Sequence, residues 1–299
     1  MTDSHLSVFF GNFSLDNPIM IASGVCGFGE ENQEVLNKVA AVVFKTVTLY
    51  PKKGNTPPRV VDLQYGILNS IGLENPGIDG LKEKLSYISK IKTKRIASFL
   101  ADTEDEFIII LEKLESYGVF DGYEVNLSCP NVEKGIWFYD KSILKKSLIK
   151  IREKTNKFIA AKISTGDDIF EIIKILKDTM INAAVVANTY TALAVDYKKR
   201  SFKLANIYGG YSGPAIKPLT LRLVYDIKKK FDIDVIASGG VAKEEDVIEY
   251  LLVGAKAVQI GSAYFRDPKF PLKCLNFLKK YLKENKISLT ELTGALLKK

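Results

Sequence analysis

Histidine is almost missing from this chain: His5 is the only one in 299 residues. That all but excludes Ser-His-Asp and Cys-His catalysis, in which an imidazole carries the proton, and zinc sites built on histidine. Cysteine is scarce too. Cys26, Cys129 and Cys274 are odd in number and unrelated in spacing, which argues against a disulfide framework, a cysteine metal knuckle or an iron–sulfur cluster on this chain. No resident metal is expected. No apolar run approaches the ~18–20 residues of a membrane span, and Met1 to Ser7 lacks a secretory pattern. The expectation is a cytoplasmic protein without a membrane segment. Acid–base work must then come from cysteine, lysine, tyrosine or carboxylates.

Charge is present with one sign in excess: 43 Lys and Arg against 35 Asp and Glu, a net +8. Nucleic acid, an acidic small molecule or a solvated surface would each account for it. The lysines fall mostly along helical patterns (Lys141, Lys145, Lys146, Lys150, Lys154; Lys228 to Lys230; Lys279, Lys280, Lys283). The solvated-face reading is therefore the expected one.

Short apolar, β-branched runs recur at Ile19–Ala22, Ala41–Lys45, Arg95–Phe99, Gly122–Asn126, Phe158–Ile163, Ala184–Ala187, Asp234–Ala237 and Ala257–Ile260. Helical patterns lie between them, at about 31–39, 77–90, 103–117, 141–154, 168–179, 219–231, 243–253 and 268–284. Thr103 followed by Glu106 has the spacing of a capping box, and Ile108, Leu111 and Leu114 read as the stripe of the helix it opens. Eight strands that are apolar throughout, each followed by a helix, predict a parallel sheet with helices on its outside. Eight units also predict closure into a (β/α)8 TIM barrel. A doubly wound open sheet is the second choice. No linker divides residues 1–299, so one domain is expected, with an N-terminal β-hairpin around Gly11-Asn12. Two connections, 46–76 and 188–218, are too long for simple loops and follow the C-terminal ends of strands two and six, on the face where barrels build their sites.

The residues at those strand ends are polar. Ser23-Gly24 follows strand one, Lys45-Thr46 strand two, Ser98 strand three and Asn126-Leu127-Ser128-Cys129 strand four. Lys162 lies near the end of strand five, Asn188-Thr189 after six, Gly239-Gly240 after seven and Gly261-Ser262 after eight. The loops after strands seven and eight are a recurrent phosphate site, where glycine lets backbone N–H groups approach the anion; Gly213 adds a further amide. Lys45 and Lys162, at the ends of buried strands, need an anion or strong acceptor, as either a structural salt bridge or a cofactor contact. A flavin would supply one, since a cation near its N1/O2 edge stabilises the reduced ring. Cys129 alone could be a small buried hydrophobe. Within Asn-Leu-Ser-Cys-Pro-Asn it reads as a thiol among ligand-recognising groups, able to remove a proton once its pKa is lowered. Cys26 follows Ser23-Gly24 closely enough to approach the same site, and Cys274, on the last helix, reads as packing.

Taken together, the chain resembles the class 1 dihydroorotate dehydrogenases, FMN-dependent (β/α)8 enzymes of pyrimidine (UMP) biosynthesis. The resemblance runs through Asn17 to Gly29, Lys45 to Thr48, Gly54 to Arg59, Asn69 to Gly77, Asn126 to Asn131, Asn188-Thr189, Ser212 to Pro218, Ser238 to Val241 and Gln259 to Ser262. It implies oxidation of dihydroorotate to orotate, with Cys129 as the base that removes the C5 proton while hydride leaves C6 for N5 of FMN. Lys45, Asn69, Ser70, Ile71, Gly72, Leu73, Asn126, Asn188 and Thr189 would bind substrate. Ser23, Lys45, Thr46, Ser98, Asn126, Lys162, Ala187, Gly213, Gly239, Gly240, Gly261 and Ser262 would bind FMN. Two positions depart from the family: Ser98 stands where an asparagine usually reaches the flavin, and Cys26 where a threonine or similar residue is usual.

The loops Leu68 to Leu73 and Ser212 to Pro218 look like class 1B. That subclass implies an electron-transfer subunit carrying FAD and an iron–sulfur cluster, reduction of NAD, and a heterotetramer of two plus two chains around a homodimer core. Class 2 has serine where this chain has Cys129. The remaining alternatives are a fumarate-using class 1A enzyme and a tRNA-dihydrouridine synthase-like FMN barrel, whose RNA would account for the basic charge. The short stretch after residue 284 leaves no room for an RNA-binding domain, so neither nucleic acid nor membrane is an expected partner.

Overall fold

The computed structural model describes residues 4–127, 140–166 and 168–298. A hairpin of β1 (Val8–Phe10) and β2 (Phe13–Leu15) comes first. Then follow β3 (Ile19–Ile21), β4 (Ala41–Val43), β5 (Val60–Leu63), β6 (Gly66–Asn69), β7 (Lys94–Phe99), β8 (Gly122–Asn126), β9 (Phe158–Lys162) and β10 (Ala183–Val186). The last strands are β11 (Tyr190–Leu193), β12 (Val195–Asp196), β13 (Ser201–Phe202), β14 (Tyr208–Ser212), β15 (Asp234–Ser238) and β16 (Ala257–Ile260). Eight of these close a parallel barrel in the order β3-β4-β7-β8-β9-β10-β15-β16. They are the eight apolar runs of the sequence, with ends displaced by a residue or two.

The longer helices on the outside are α4 (Glu104–Ser116), α5 (Lys141–Lys154), α6 (Ile169–Asp178), α7 (Lys217–Lys230), α8 (Glu245–Leu252) and α10 (Phe270–Asn285). Single turns complete the set: α1 (Gln33–Leu36), α2 (Gly77–Gly80), α3 (Leu85–Ile88), α9 (Ala263–Arg266) and α11 (Leu289–Leu292). The pattern at 77–90 predicts one helix, but α2 and α3 are joined by a 3-10 turn over Leu81–Lys84. Gly77 and Gly80 weaken the first turn, while Ile78, Leu81 and Ile88 still reach the core.

The stripe of α4 also differs from the sequence expectation. Phe107, Ile110, Leu111 and Leu114 are buried, while Ile108 sits at the edge of the contact. The run Phe107–Ile110 offers two apolar faces, and the barrel takes the one that sets Phe107 edge-on against Phe99 at 5.7 Å. Thr103 does cap the helix, accepting from Glu106 N. The Glu106 carboxylate, however, accepts from Asp102 N, one residue before the position a full capping box would use.

One end of the barrel is closed by the hairpin. Phe13 stacks on Phe158 at 4.4 Å and Phe10 meets the same ring edge-on at 5.4 Å. Lys256 donates to Phe9 O and to Asp234. Phe158 and Asp234 begin their strands, so the hairpin covers the N-terminal end.

The two long connections are folded. They supply β5, β6, β11 and β14, which form an antiparallel sheet in the order β11-β14-β6-β5, and the small hairpin β12-β13. Both connections leave from C-terminal strand ends, which places this sheet at the opposite, open end of the barrel. On the outer surface Lys145, Lys150, Lys154 and Lys157 pair with Asp178, Glu104, Glu112 and Glu115 of neighbouring elements. These lysines therefore form a solvated helix layer paired with neighbouring carboxylates, and exposed pairs of this kind add little to stability.

Burial sorts the mutational sensitivity of α4. Leu111→Ala, at a fully buried position, should cost about 2–5 kcal/mol in urea unfolding. Ile109→Ala, at a position 41% exposed, should change stability by less than about 0.5 kcal/mol.

Candidate active site at the barrel mouth

The polar strand ends meet along the open rim. Ser23 Oγ donates to Phe44 O at 2.8 Å and lies 3.2 Å from Thr46 Oγ1, which lies 2.8 Å from Ser98 Oγ. Asn126 Nδ2 reaches the same Thr46 hydroxyl at 3.4 Å. Four strand ends far apart in sequence are thus joined through one threonine. Thr46 is held there because its chain continues alongside β7, with Val47 N donating to Ser98 O and Leu100 N to Val47 O, each at 3.0 Å. Ser98, which departs from the family pattern, is almost fully buried and completes this hydroxyl chain; an asparagine's longer amide would extend past it toward the mouth.

Lys162 stands beside Asn126 in the β8·β9 ladder and is 7% exposed. Its ammonium has no hydrogen-bonding partner among the described residues, and the charge acting across from it is Glu124 on β8. Lys45 is half-buried over the Ser23-Gly24 turn: a Cβ built on Gly24 would lie 3.8 Å from its Nζ. Two cations therefore flank the mouth.

The glycines of the last two barrel loops have different causes. Gly240 has φ +72°, and a Cβ there would strike Lys217 N at 2.4 Å, so the turn itself demands glycine. Gly261 has no such reason. A Cβ on it would meet only Ala22 Cβ at 3.9 Å, which leaves open space in front of its backbone. The N–H groups of Gly239, Gly240 and Gly261 have no acceptor among the described residues, whereas those of Ala242 and Lys243 are taken by Asp246. Gly213 is explained by packing, since its Cβ would lie 2.6 Å from Gly66 Cα. Ala187 is buried, with its N–H on Ser238 O. Ser262 opens α9 beside Gly261. Backbone donors and a buried ammonium without a hydrogen-bonded partner among the described residues, beside an unfilled glycine face, fit an anionic, phosphorylated ligand.

The small sheet and its loops join Asn69, Asn188, Thr189 and Ser70 to neighbouring segments. Asn69 Nδ2 donates to Gly210 O at 3.2 Å, and Gly210 lies against Thr189, whose N–H is taken by the Asn188 amide. Ile71, Gly72 and Leu73 are partly exposed on the loop after β6. Ser70 is buried, its hydroxyl and carbonyl both accepting from Asn55 Nδ2, so it braces this loop from beneath. Asn75 locks the loop's end, accepting from Thr48 N and Gly77 N and donating to Leu73 O. Asn55, Thr48 and Asn75 escaped sequence reasoning because they act on the loop and not on the mouth. Glu124 and Gln259 escaped it as well. The signal was available: a carboxylate and an amide, each in an otherwise apolar barrel strand.

Cys129, with Ser128, Pro130 and Asn131, lies outside the described residues. The strand that leads to it is anchored as far as Leu127, whose N–H donates to Lys162 O at 2.8 Å. Burial, reinforced by Glu30, pushes the Cys26 thiol up to about 12, and burial also raises Cys274. Neither is a thiolate near neutral pH.

Residues 5–282 match the family model described as dihydroorotate dehydrogenase. The chain is 39% identical, over 97% of its length and 98% of the relative's, to the dihydroorotate dehydrogenase B (NAD(+)) catalytic subunit of Geobacter metallireducens. It is 37% identical, over 98% of its length and 99% of the relative's, to the protein of that name from Thermoanaerobacter pseudethanolicus. In fold it is similar to the dihydroorotate dehydrogenase of Eimeria tenella solved with ferulenol, with TM-score 0.80 and 20% identity over 98% of this chain and 89% of that one. An eight-stranded barrel with a polar rim and full-length kinship of this degree lead to one conclusion: the chain belongs to the dihydroorotate dehydrogenase family of oxidoreductases, in its class 1B catalytic-subunit branch.

Proposed function

We propose that this chain oxidises dihydroorotate to orotate in pyrimidine biosynthesis, with FMN held at the barrel mouth and electrons passed to a partner subunit that reduces NAD. What supports this reading is the hydrogen-bonded chain of Ser23, Thr46, Ser98 and Asn126, with Lys45 and Lys162 beside it, in a chain related end to end to dihydroorotate dehydrogenase catalytic subunits. Gly239, Gly240, Gly261 and Ser262 would receive the phosphate through backbone N–H groups. Ser23, Thr46, Ser98, Asn126 and Ala187 would line the ring, with Gly213 closing the side toward the small sheet. When bound, FMN supplies a two-electron acceptor for the hydride that leaves C6 of the substrate.

The protein's own part is positioning and proton transfer. Lys45, Asn126, Asn188-Thr189 and the loop Asn69 to Leu73 would fix the substrate's carboxylate and ring amides. Lys162 and Lys45 favour negative charge at the mouth. Cys129 takes the C5 proton, which the adjacent carbonyl makes acidic, and the C5–C6 double bond forms as that bond pair is released. With Cys26 raised by burial, the thiol after β8 is the remaining candidate for this step.

The partner reading draws on the relatives' names, since a catalytic subunit implies another subunit; an FAD and iron–sulfur chain in a two-plus-two assembly is the form proposed. A homodimer core is supported by the outer face of the small sheet and its hairpin, where Val195, Tyr197, Phe202 and Tyr208 are each about half exposed or more. Exposed apolar clusters of this kind mark protein interfaces.

Three measurements test these points. The purified chain should show a flavin spectrum that bleaches on anaerobic addition of dihydroorotate, and Cys129→Ala should slow that bleaching by about 10²–10⁴-fold, the usual worth of a general base; a near wild-type rate would remove Cys129 from the mechanism. At pH 8 iodoacetamide should leave Cys26 unmodified in the folded protein and alkylate it in urea, read by peptide mass spectrometry. The double variant Tyr197→Asp, Phe202→Asp should sediment as a monomer where the parent sediments as a dimer.

A further inference from the structure

The loop after β15 is fastened by one face of α8. Asp246 and Tyr250 stand four residues apart on that helix, so their side chains are neighbours. Asp246 Oδ2 accepts from Ala242 N and Lys243 N, each at 2.8 Å, and Oδ1 accepts from Lys217 Nζ at 2.6 Å. Tyr250 has no exposed surface, and its hydroxyl donates to Gly239 O at 2.5 Å. A phenol has one proton to give, and Lys217 O stands farther off at 3.5 Å, so the bond belongs to Gly239. Burial raises the ionisation of this phenol above its ordinary range, which keeps the hydroxyl a donor.

The other side of the loop is held by the start of α7. A Cβ on Gly239 would lie 2.8 Å from Thr220 Oγ1, and one on Gly240 2.4 Å from Lys217 N. The loop is therefore pressed between two helices, and its orientation is not a local choice. The N–H of Gly240 has no acceptor among the described residues. In a trans peptide the C=O and the following N–H point in opposite directions, and the cis bonds among the described residues lie elsewhere, at Pro57-Pro58 and Val186-Ala187. Drawing Gly239 O toward Tyr250 thus turns the Gly240 N–H away from α8.

We propose that Tyr250 is a positioning residue for the anion site: by holding Gly239 O against α8 it fixes the Gly239–Gly240 peptide with its N–H offered to a phosphate. This deepens the proposed function, on which it rests for the identity of that phosphate as the one carried by FMN. The hydroxyl touches neither cofactor nor substrate. It acts through one peptide plane. Asp246, from the same helical face, takes the N–H groups of the next stretch, so Ala242 and Lys243 are withheld from the ligand while Gly240 is presented. A donor aimed in advance loses less freedom when the anion arrives.

Two ligands that differ only in the phosphate separate this role from a merely structural one. The apoprotein is titrated with FMN and with riboflavin, followed by quenching of flavin fluorescence, in wild type and in Tyr250→Phe, which keeps the ring and removes the hydroxyl. FMN binding should weaken about fivefold or more, the order of one hydrogen bond, while riboflavin binding stays as in wild type. Equal FMN affinities overturn the proposal. So does an equal loss for both ligands, because that would mark general damage to the fold.

A second readout follows the peptide itself. Gly210 and Gly240 are the two glycines preceded by glycine, so in protein made with 13C-carbonyl, 15N-glycine only their amides show the one-bond coupling. Inorganic phosphate should shift the Gly240 amide in the wild-type chain and shift it less in Tyr250→Phe. If that variant does not fold, the wild-type titration decides, and an unmoved Gly240 amide overturns the proposal. A chain that binds neither flavin would sink the proposed cofactor, while the phosphate titration still judged the role of Tyr250.

Discussion

A closed ring of eight parallel strands has no free edge of its own, and it sends every one of its strands' C-terminal ends to the same rim. That constraint organises the rest of the molecule. The hairpin over Phe158 and Asp234 closes the other end, so the residues that follow the strands face each other across the one remaining opening. Ser23, Thr46, Ser98 and Asn126 meet there although they span about a third of the chain. Closure, not local sequence, makes them neighbours.

The interior shows a second consequence. Barrel cores of this class are usually filled by branched aliphatic layers, and part of this one is: Val43, Ile96, Val185 and Ile236 face inward and are buried. The exception is the line of Glu124, Gln259 and Lys162. A buried carboxylate with one oxygen unmatched is an unfavourable way to fill space. Burial pushes the Glu124 carboxyl above the usual carboxylate range, against the opposing charge of Lys162 and the Gln259 amide that donates to it from across the barrel.

The mouth is finished by the two long connections. Their sheet joins Asn69 to Gly210 and sets Thr189 against that same glycine, while Asn55 and Asn75 fasten the loop between β6 and α2 from behind. A loop fastened in this way has less conformational freedom to lose on binding a ligand than a free one. The same sheet turns an apolar face outward, so one structural addition serves both the site and the proposed contact with a second chain.

Much of this was legible in the amino-acid order. Period, β-branching and the count of eight specify parallel strands with helices outside, because a strand covered on both faces is apolar throughout. The polar residues just past those strands mark the rim, since a core has no use for lysines and amides at eight equivalent places. What sequence left undecided has a common physical cause. The face that α4 buries depends on the partner across the interface, so Phe107 displaces Ile108 in the stripe. The sheet within 46–76 and 188–218 depends on pairing between segments about 140 residues apart, which no local pattern encodes. The distinction between Gly240, required by its turn, and Gly261, facing open space, depends on neighbours contributed by other strands. The bond from Glu124 to Gln259 depends on a barrel diameter. Chain order determined which residues reach the rim; only tertiary closure decided which of them touch.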